Sequence, residues 1–122
     1  EKEIDYEEIL KKTQHILFNI GAMFYNQKIE KIENEIIKLE TIIETENKKL
    51  PQLNSFLLPI GSEFTIALHQ ARVQARKCER VFWKANKKEN NLDQIGVYLN
   101  RLSDFLFTII RKNSTKTWNA NI

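Results

Sequence analysis

Apolar side chains recur every three or four residues along most of this chain, the spacing that gives a helix one buried face. From Tyr6, the series Ile9, Leu10, Thr13, Leu17, Ile20 and Phe24 predicts a helix over about 4–25. Ile29, Ile32, Ile36, Leu39 and Ile43 predict a second over about 27–47, with Glu30, Lys31, Glu33, Lys38 and Glu40 on its other faces. The next segment, KKLPQLNSFLLPIGS, contains both prolines and Gly61, so no helix continues through it. Leu53, Phe56, Leu57 and Leu58 are too apolar for a solvated linker, so an ordered, partly buried loop is expected there. Ser62 reads as the N-cap of a third helix over about 62–87. Asn91 with Gln94 resembles a capping box for a fourth helix that runs to about 112. In that helix Leu92, Ile95, Leu99, Leu102, Leu106 and Ile109 alternate steps of three and four, as in a helix packed against neighbours. The pattern as a whole predicts an all-α, antiparallel helical bundle in one domain over residues 1–112, then a polar tail, 113–122.

Composition narrows the class. At 122 residues there is enough chain for one core, and the scarcity of Gly and Pro (3 and 2) suits long helices. No apolar run is long enough for a membrane span and the acidic start EKEIDYEE is unlike a secretion signal, so a cytoplasmic protein is expected. Cys78 is the single cysteine, which rules out an internal disulfide and falls far short of a structural zinc site. A net charge of +3 is too small to imply nucleic acid, and the distribution of the cations says more.

Those cations concentrate on the third helix. At ~100° per residue, Thr65, His69, Arg72, Arg76, Glu79 and Trp83 form one stripe, and Phe64, Leu68, Ala71, Ala75, Cys78 and Phe82 form an apolar stripe beside it. The polar stripe has two readings. It is either a solvated face in which Arg76 neighbours Glu79 and Arg80, or an anion site in which guanidinium groups one turn apart grip successive phosphates. On the fourth helix Asn100, Arg101, Ser103 and Asp104 interrupt the apolar pattern. They fit an interhelical hydrogen-bond network or a purine or ribose contact. His69 has no companion ligand at metal-binding spacing and reads as a packed histidine, with His15 on another helix. Nucleophile elbow, paired catalytic carboxylates and glycine-rich phosphate loop are all missing from the sequence.

Three blocks, "FLLPIGS", "ALHQARVQARKCER" and "YLNRLSDFLF", resemble in order and spacing the signatures of the PduO-type ATP:cob(I)alamin adenosyltransferases. The family pattern is approximately F-[IV]-L-P-G-G-[ST], A-L-H-x-A-R-x-x-x-R-R-A-E-R and N-R-L-S-D-x-L-F. Helix one, with "ILFNIGAMF", is similar to the family helix that precedes its variable region. This sequence departs from the pattern at Ile60, where a glycine is usual, and at Lys77 and Cys78 in place of Arg and Ala. The family's N-terminal phosphate loop, T-x-x-G-D-x-G-x-T, and its first helix have no counterpart before Glu1, so the chain resembles a member lacking its front end.

The resemblance implies a five-helix, ferritin-like bundle assembled as a homotrimer, with active sites at subunit interfaces. It also implies transfer of the 5′-deoxyadenosyl group of ATP, bound with Mg2+, to the cobalt of cob(I)alamin, giving adenosylcobalamin and triphosphate. By the same resemblance Arg76, Lys77 and Arg80 contact the phosphates, Glu79 orients them or a metal-bound water, and Asn100 hydrogen-bonds the nucleotide. Arg72 pairs with an acidic residue across the subunit boundary, and Phe56 is an aromatic wedge on the lower face of the corrin. The catalytic residues expected are thus Phe56, Arg76 and Asn100. A cobalamin reductase and an adenosylcobalamin-dependent enzyme are the further partners implied. A non-catalytic trimeric relative that binds or delivers corrinoid is the rival reading, supported by Ile60 and the missing loop.

Overall fold

The computed structural model describes residues 5–26, 32–53, 57–86 and 92–113. They form α1 (Tyr6–Asn26), α2 (Glu33–Asn47), α3 (Glu63–Ala85) and α4 (Asp93–Asn113). The chain divides into two units, one carrying α1 and the other carrying α2, α3 and α4.

In α1 the Asp5 carboxylate accepts from the Glu8 amide at 3.1 Å, and Glu7 and Glu8 fill the first turn, where negative charge suits the helix dipole. The stripe differs from the expected one at Leu17, which is exposed, while Ile16 is buried with Thr13 and Ile20. Thr13 can lie in that stripe because its hydroxyl donates to the Ile9 carbonyl at 2.9 Å, leaving no unpaired donor.

The second unit is built around α4. Side-chain pairs fix the direction of its neighbours. Glu33 with Gln94, Glu40 with Arg101 and Asn47 with Thr108 advance together in steps of seven, so α2 runs parallel to α4. Arg72 with Phe107, Glu79 with Asn100 and Asn86 with Asp93 advance in opposite senses, so α3 is antiparallel to it. The up-down-up order predicted for these three helices follows.

With a partner on either side, α4 is buried beyond a single stripe. The expected Ile95, Leu99, Leu102, Leu106 and Ile109 are buried, and so are Tyr98, Phe105 and Ile110. On α2 the inward residues are Ile36 and Leu39, preceded by buried Ile32. Residues 27–31, where the sequence placed the start of this helix, lie outside the described residues. Gln94 donates to Glu33 Oε1 at 2.7 Å and accepts from the Ile32 amide at 3.5 Å, so its amide group secures the start of α2. Asn91, its expected capping partner, also lies outside the described residues. Glu46 is buried at the other end of α2, with the ammonium groups of Lys112 and Lys49 at 3.5 and 3.9 Å to offset its desolvation.

The loop between α2 and α3 is tied down where the Arg111 guanidinium donates to the Pro51 carbonyl. Leu57 and Leu58 are half-buried as expected, whereas Leu53 and Ile60 are exposed. At Gly61 φ is +139°, a backbone region that side chains disfavour, and the chain turns there directly into α3. Ser62 then caps the helix, its Oγ accepting from the Thr65 amide at 3.2 Å. No helix among the described residues is long and apolar enough to cross a membrane.

Candidate functional site

The face α3 turns to α4 lies between the two stripes expected from the sequence. Thr65, Leu68, Ala75 and Phe82 are buried, and Arg72 and Glu79 between them are half-buried. Their spacing of three, four, three, four and three is that of a helix seam. Phe64, Ala71 and Cys78, expected in the core, are exposed. Arg72 and Glu79 replace them because α4 offers partners for both, and Thr65 because its hydroxyl pairs with Ser62 Oγ at 3.1 Å, so the seam is rotated toward the polar stripe.

Glu79 is the centre of the resulting polar group. Asn100 Nδ2 lies 3.3 Å from both of its carboxylate oxygens, and Trp83 Nε1 donates to Oε2 at 3.3 Å. A carboxylate only accepts, so Asn100 must turn its NH2 toward Glu79 and its carbonyl oxygen away. Ser103 is fully buried and satisfies its hydroxyl by donating to the Asn100 backbone carbonyl at 2.9 Å, holding that turn of α4.

Two turns below, the Arg72 guanidinium carbon stands 4.5 Å from the centre of the Phe107 ring, a cation–π contact. Burial, and then the neighbouring Arg76 charge, pull the Arg72 pKa below the ordinary arginine value, against an opposing pull from Asp104. The group nevertheless stays a cation, as arginine does in proteins. Its Nε is buried with no hydrogen-bond partner among the described residues, and the same holds for His69 Nε2. His69 is pushed toward its neutral form by burial first and by Arg72 second. Arg101 sits apart from this group, bonded to Asp104 at 3.3 Å and paired with Glu40 at 3.6 Å.

Arg76 and Arg80 are exposed on the flank of Glu79 and make no ion pair or hydrogen bond with the described residues. Lys77 is also exposed, ~100° around the helix from Arg76. Arg72, Arg76, Glu79, Arg80 and Asn100 therefore share one edge of the α3–α4 pair, whereas Lys77 belongs to an adjacent face. Phe56 lies outside the described residues. The described residues contain no cluster of three or more His, Cys, Asp or Glu able to hold a metal ion. Sequence reasoning missed the place of Gly96 beneath the Trp83 indole, where an added Cβ would come within 2.3 Å of Trp83 Cζ2. The available signal was a glycine one turn before Asn100, opposite an aromatic one turn after Glu79.

The family model for cobalamin adenosyltransferase matches residues 1–113. A corrinoid adenosyltransferase of Mycobacterium leprae is 36% identical over 121 residues, covering 88% of this chain and 63% of its own length. One from Bacillus subtilis is 37% identical over 102 residues, covering 80% of this chain and 53% of its own. The chain thus spans less than two thirds of either relative. Among solved structures, a phenylalanine-to-alanine variant of a PduO-type ATP:corrinoid adenosyltransferase from Lactobacillus reuteri, complexed with cobalamin and ATP, aligns with a TM-score of 0.75 and 26% identity, over 92% of this chain and 68% of that one. An arginine-to-lysine variant from the same organism, complexed with ATP, gives 0.75 and 26%, over 90% and 69%.

Proposed function

Because the chain belongs to the cobalamin adenosyltransferase family, we propose that the protein containing it transfers the 5′-deoxyadenosyl group of ATP to cob(I)alamin. The observation that carries this reading is the Asn100–Glu79 bond between α4 and α3, with the uncommitted guanidinium groups of Arg76 and Arg80 beside it. In this reaction the electron pair of Co(I) forms a bond to the ribose 5′ carbon, and the C–O pair leaves with triphosphate. The nucleophile is the substrate's own, so the protein's work is alignment and charge stabilisation.

Arg76 and Arg80 receive the triphosphate, whose charge grows as the C–O bond breaks. Forked guanidinium bonds suit phosphate oxygens, and with no ion pair to an acid among the described residues both side chains are available for that use. Lys77, on the neighbouring face, reaches the outermost phosphate or none. Glu79 fixes Asn100, and the Asn100 carbonyl oxygen accepts from an N–H of the nucleotide. One carboxylate beside phosphates suits Mg2+, which keeps several of its waters and would neutralise phosphate charge. Glu79 is the residue that would hold it, through such a water.

Two further observations support the family's assembly and its site. The orphaned Arg72 Nε fits a partner outside the described residues, as an acidic group of an adjacent subunit in a homotrimer would be. In the Lactobacillus reuteri variants the substituted phenylalanine and arginine are 20 residues apart, the separation of Phe56 and Arg76 here, which supports the corrin wedge and the phosphate clamp at those positions. The resemblance also supports a cytoplasmic setting, a reductase that supplies the Co(I) state and an enzyme that takes the product.

The test is adenosylcobalamin formation from ATP and chemically reduced cobalamin, followed by absorbance, with the full-length protein. Turnover is expected, with kcat/KM falling roughly 10² or more in Arg76→Ala. Cobalamin binding without turnover would favour a corrinoid-carrying relative instead. Unchanged kinetics in the variant would remove Arg76 from the clamp.

A further inference from the structure

We propose that Trp83 is a positioning residue of the nucleotide site, acting through Glu79 on Asn100; this rests on the adenosyltransferase reading above. The indole N–H holds one oxygen of Glu79 at 3.3 Å while Asn100 spans both at 3.3 Å, so the carboxylate is fixed from α3 and from α4 at once. Without the indole, the carboxylate would be free to rotate about its terminal torsion, which is broad. Asn100 would then lose the anchor that keeps its carbonyl oxygen turned outward.

The indole is not held in place by core burial, since Trp83 is 42% exposed. Two specific contacts seat it. Its ring meets Phe82 edge-on at 5.2 Å, and it lies against the backbone of Gly96, where a Cβ would fall 2.3 Å from Cζ2 and 2.4 Å from Cε2. Gly96 is one helical turn from Asn100, so the glycine that admits the indole and the amide that benefits from it share one face of α4. A tryptophan that is half in water, on a helix edge cleared for it by a glycine, with its sole donor aimed at a site carboxylate, is built to orient that carboxylate.

The experiment compares wild type and Trp83→Phe in the full-length protein. It measures ATP affinity by calorimetry in the absence of corrinoid, cobalamin affinity, and the separate kcat and KM for ATP. Phenylalanine keeps an aromatic ring beside Phe82 and removes the N–H, together with the outer ring atoms that lie on Gly96. We expect ATP binding about fivefold weaker, the scale of one partly exposed hydrogen bond to a charged group, and a matching rise in the ATP KM. Cobalamin affinity and kcat should stay within twofold. In a Glu79→Ala background the same substitution should change ATP affinity by less than twofold, because no acceptor remains to carry the effect of the indole N–H to Asn100.

Wild-type ATP affinity in Trp83→Phe, additive effects of the two substitutions, or equal weakening toward both ligands would each overturn the role of Trp83 alone. Failure of the wild type to bind ATP would overturn the nucleotide reading and this role with it. A variant too unstable to assay leaves a second measurement on the wild type: the Trp83 indole N–H resonance should move when Glu79 becomes glutamine and when ATP is added. A resonance indifferent to both would refute the proposal.

Discussion

Replacing Gly96 by alanine tests the α3–α4 contact where the Trp83 indole lies on α4. The new Cβ would stand 2.3, 2.4 and 2.8 Å from three atoms of the Trp83 indole. Carbon atoms in contact prefer about 3.5–4.0 Å, so the ring must retreat by more than 1 Å or the helices must part. Overpacking of this kind typically costs ~1–3 kcal/mol. Alanine returns ~1 kcal/mol through its higher helix propensity. The indole is exposed enough to swing outward, which limits the clash but breaks its bond to Glu79, worth ~1 kcal/mol. The balance is a net destabilisation of ~1 kcal/mol, or a Tm lower by roughly 4 °C. Thermal unfolding by circular dichroism would measure it, and tryptophan emission should shift to the red as the ring enters water. A Gly96→Ala protein at least as stable as wild type, with unchanged emission, would mean that the indole does not lie on Gly96.

Ile109, fully buried on α4, should lose about 3 kcal/mol as Ile109→Ala through lost transfer energy and the cavity left behind; a loss below about 1 kcal/mol in urea unfolding would contradict the central place of α4. His69 is held toward its neutral form, so below the ordinary histidine pKa the unfolded chain binds more protons than the folded one and stability falls as pH falls. His69→Gln should flatten that decline in unfolding midpoints taken across the histidine range, and an unaltered slope would exclude His69 as its source.

The fold was legible wherever one helix face meets one neighbour. On α4, Ile95, Leu99, Leu102, Leu106 and Ile109 were read correctly because apolar burial leaves a periodic trace. Ser62 was readable for a local reason, since a cap depends only on the next three residues. The third helix was harder. Hydrophobicity drew the seam through Phe64, Ala71 and Cys78, yet the inward positions include Thr65, whose hydroxyl pairs with Ser62, and Arg72 and Glu79, whose burial depends on partners contributed by α4. Such pairing is a property of two helices and leaves no period in either. The site had the same limit. Arg76, Glu79 and Asn100 stood out through motif blocks, but that Glu79 and Asn100 bond each other, and that Trp83 joins them over Gly96, required the antiparallel register of α3 on α4.

In the proposed reaction the cations beside the Glu79–Asn100 pair hold the triphosphate of ATP while its ribose carbon is transferred to cobalt. Product stoichiometry is the sharpest check. The full-length protein, given ATP and reduced cobalamin, should release one inorganic triphosphate for each adenosylcobalamin formed, and Arg76→Ala should slow both products together. Release of ADP and phosphate without a cobalt–carbon bond, or adenosylcobalamin formation at the wild-type rate in the variant, would rule out a triphosphate clamp at Arg76.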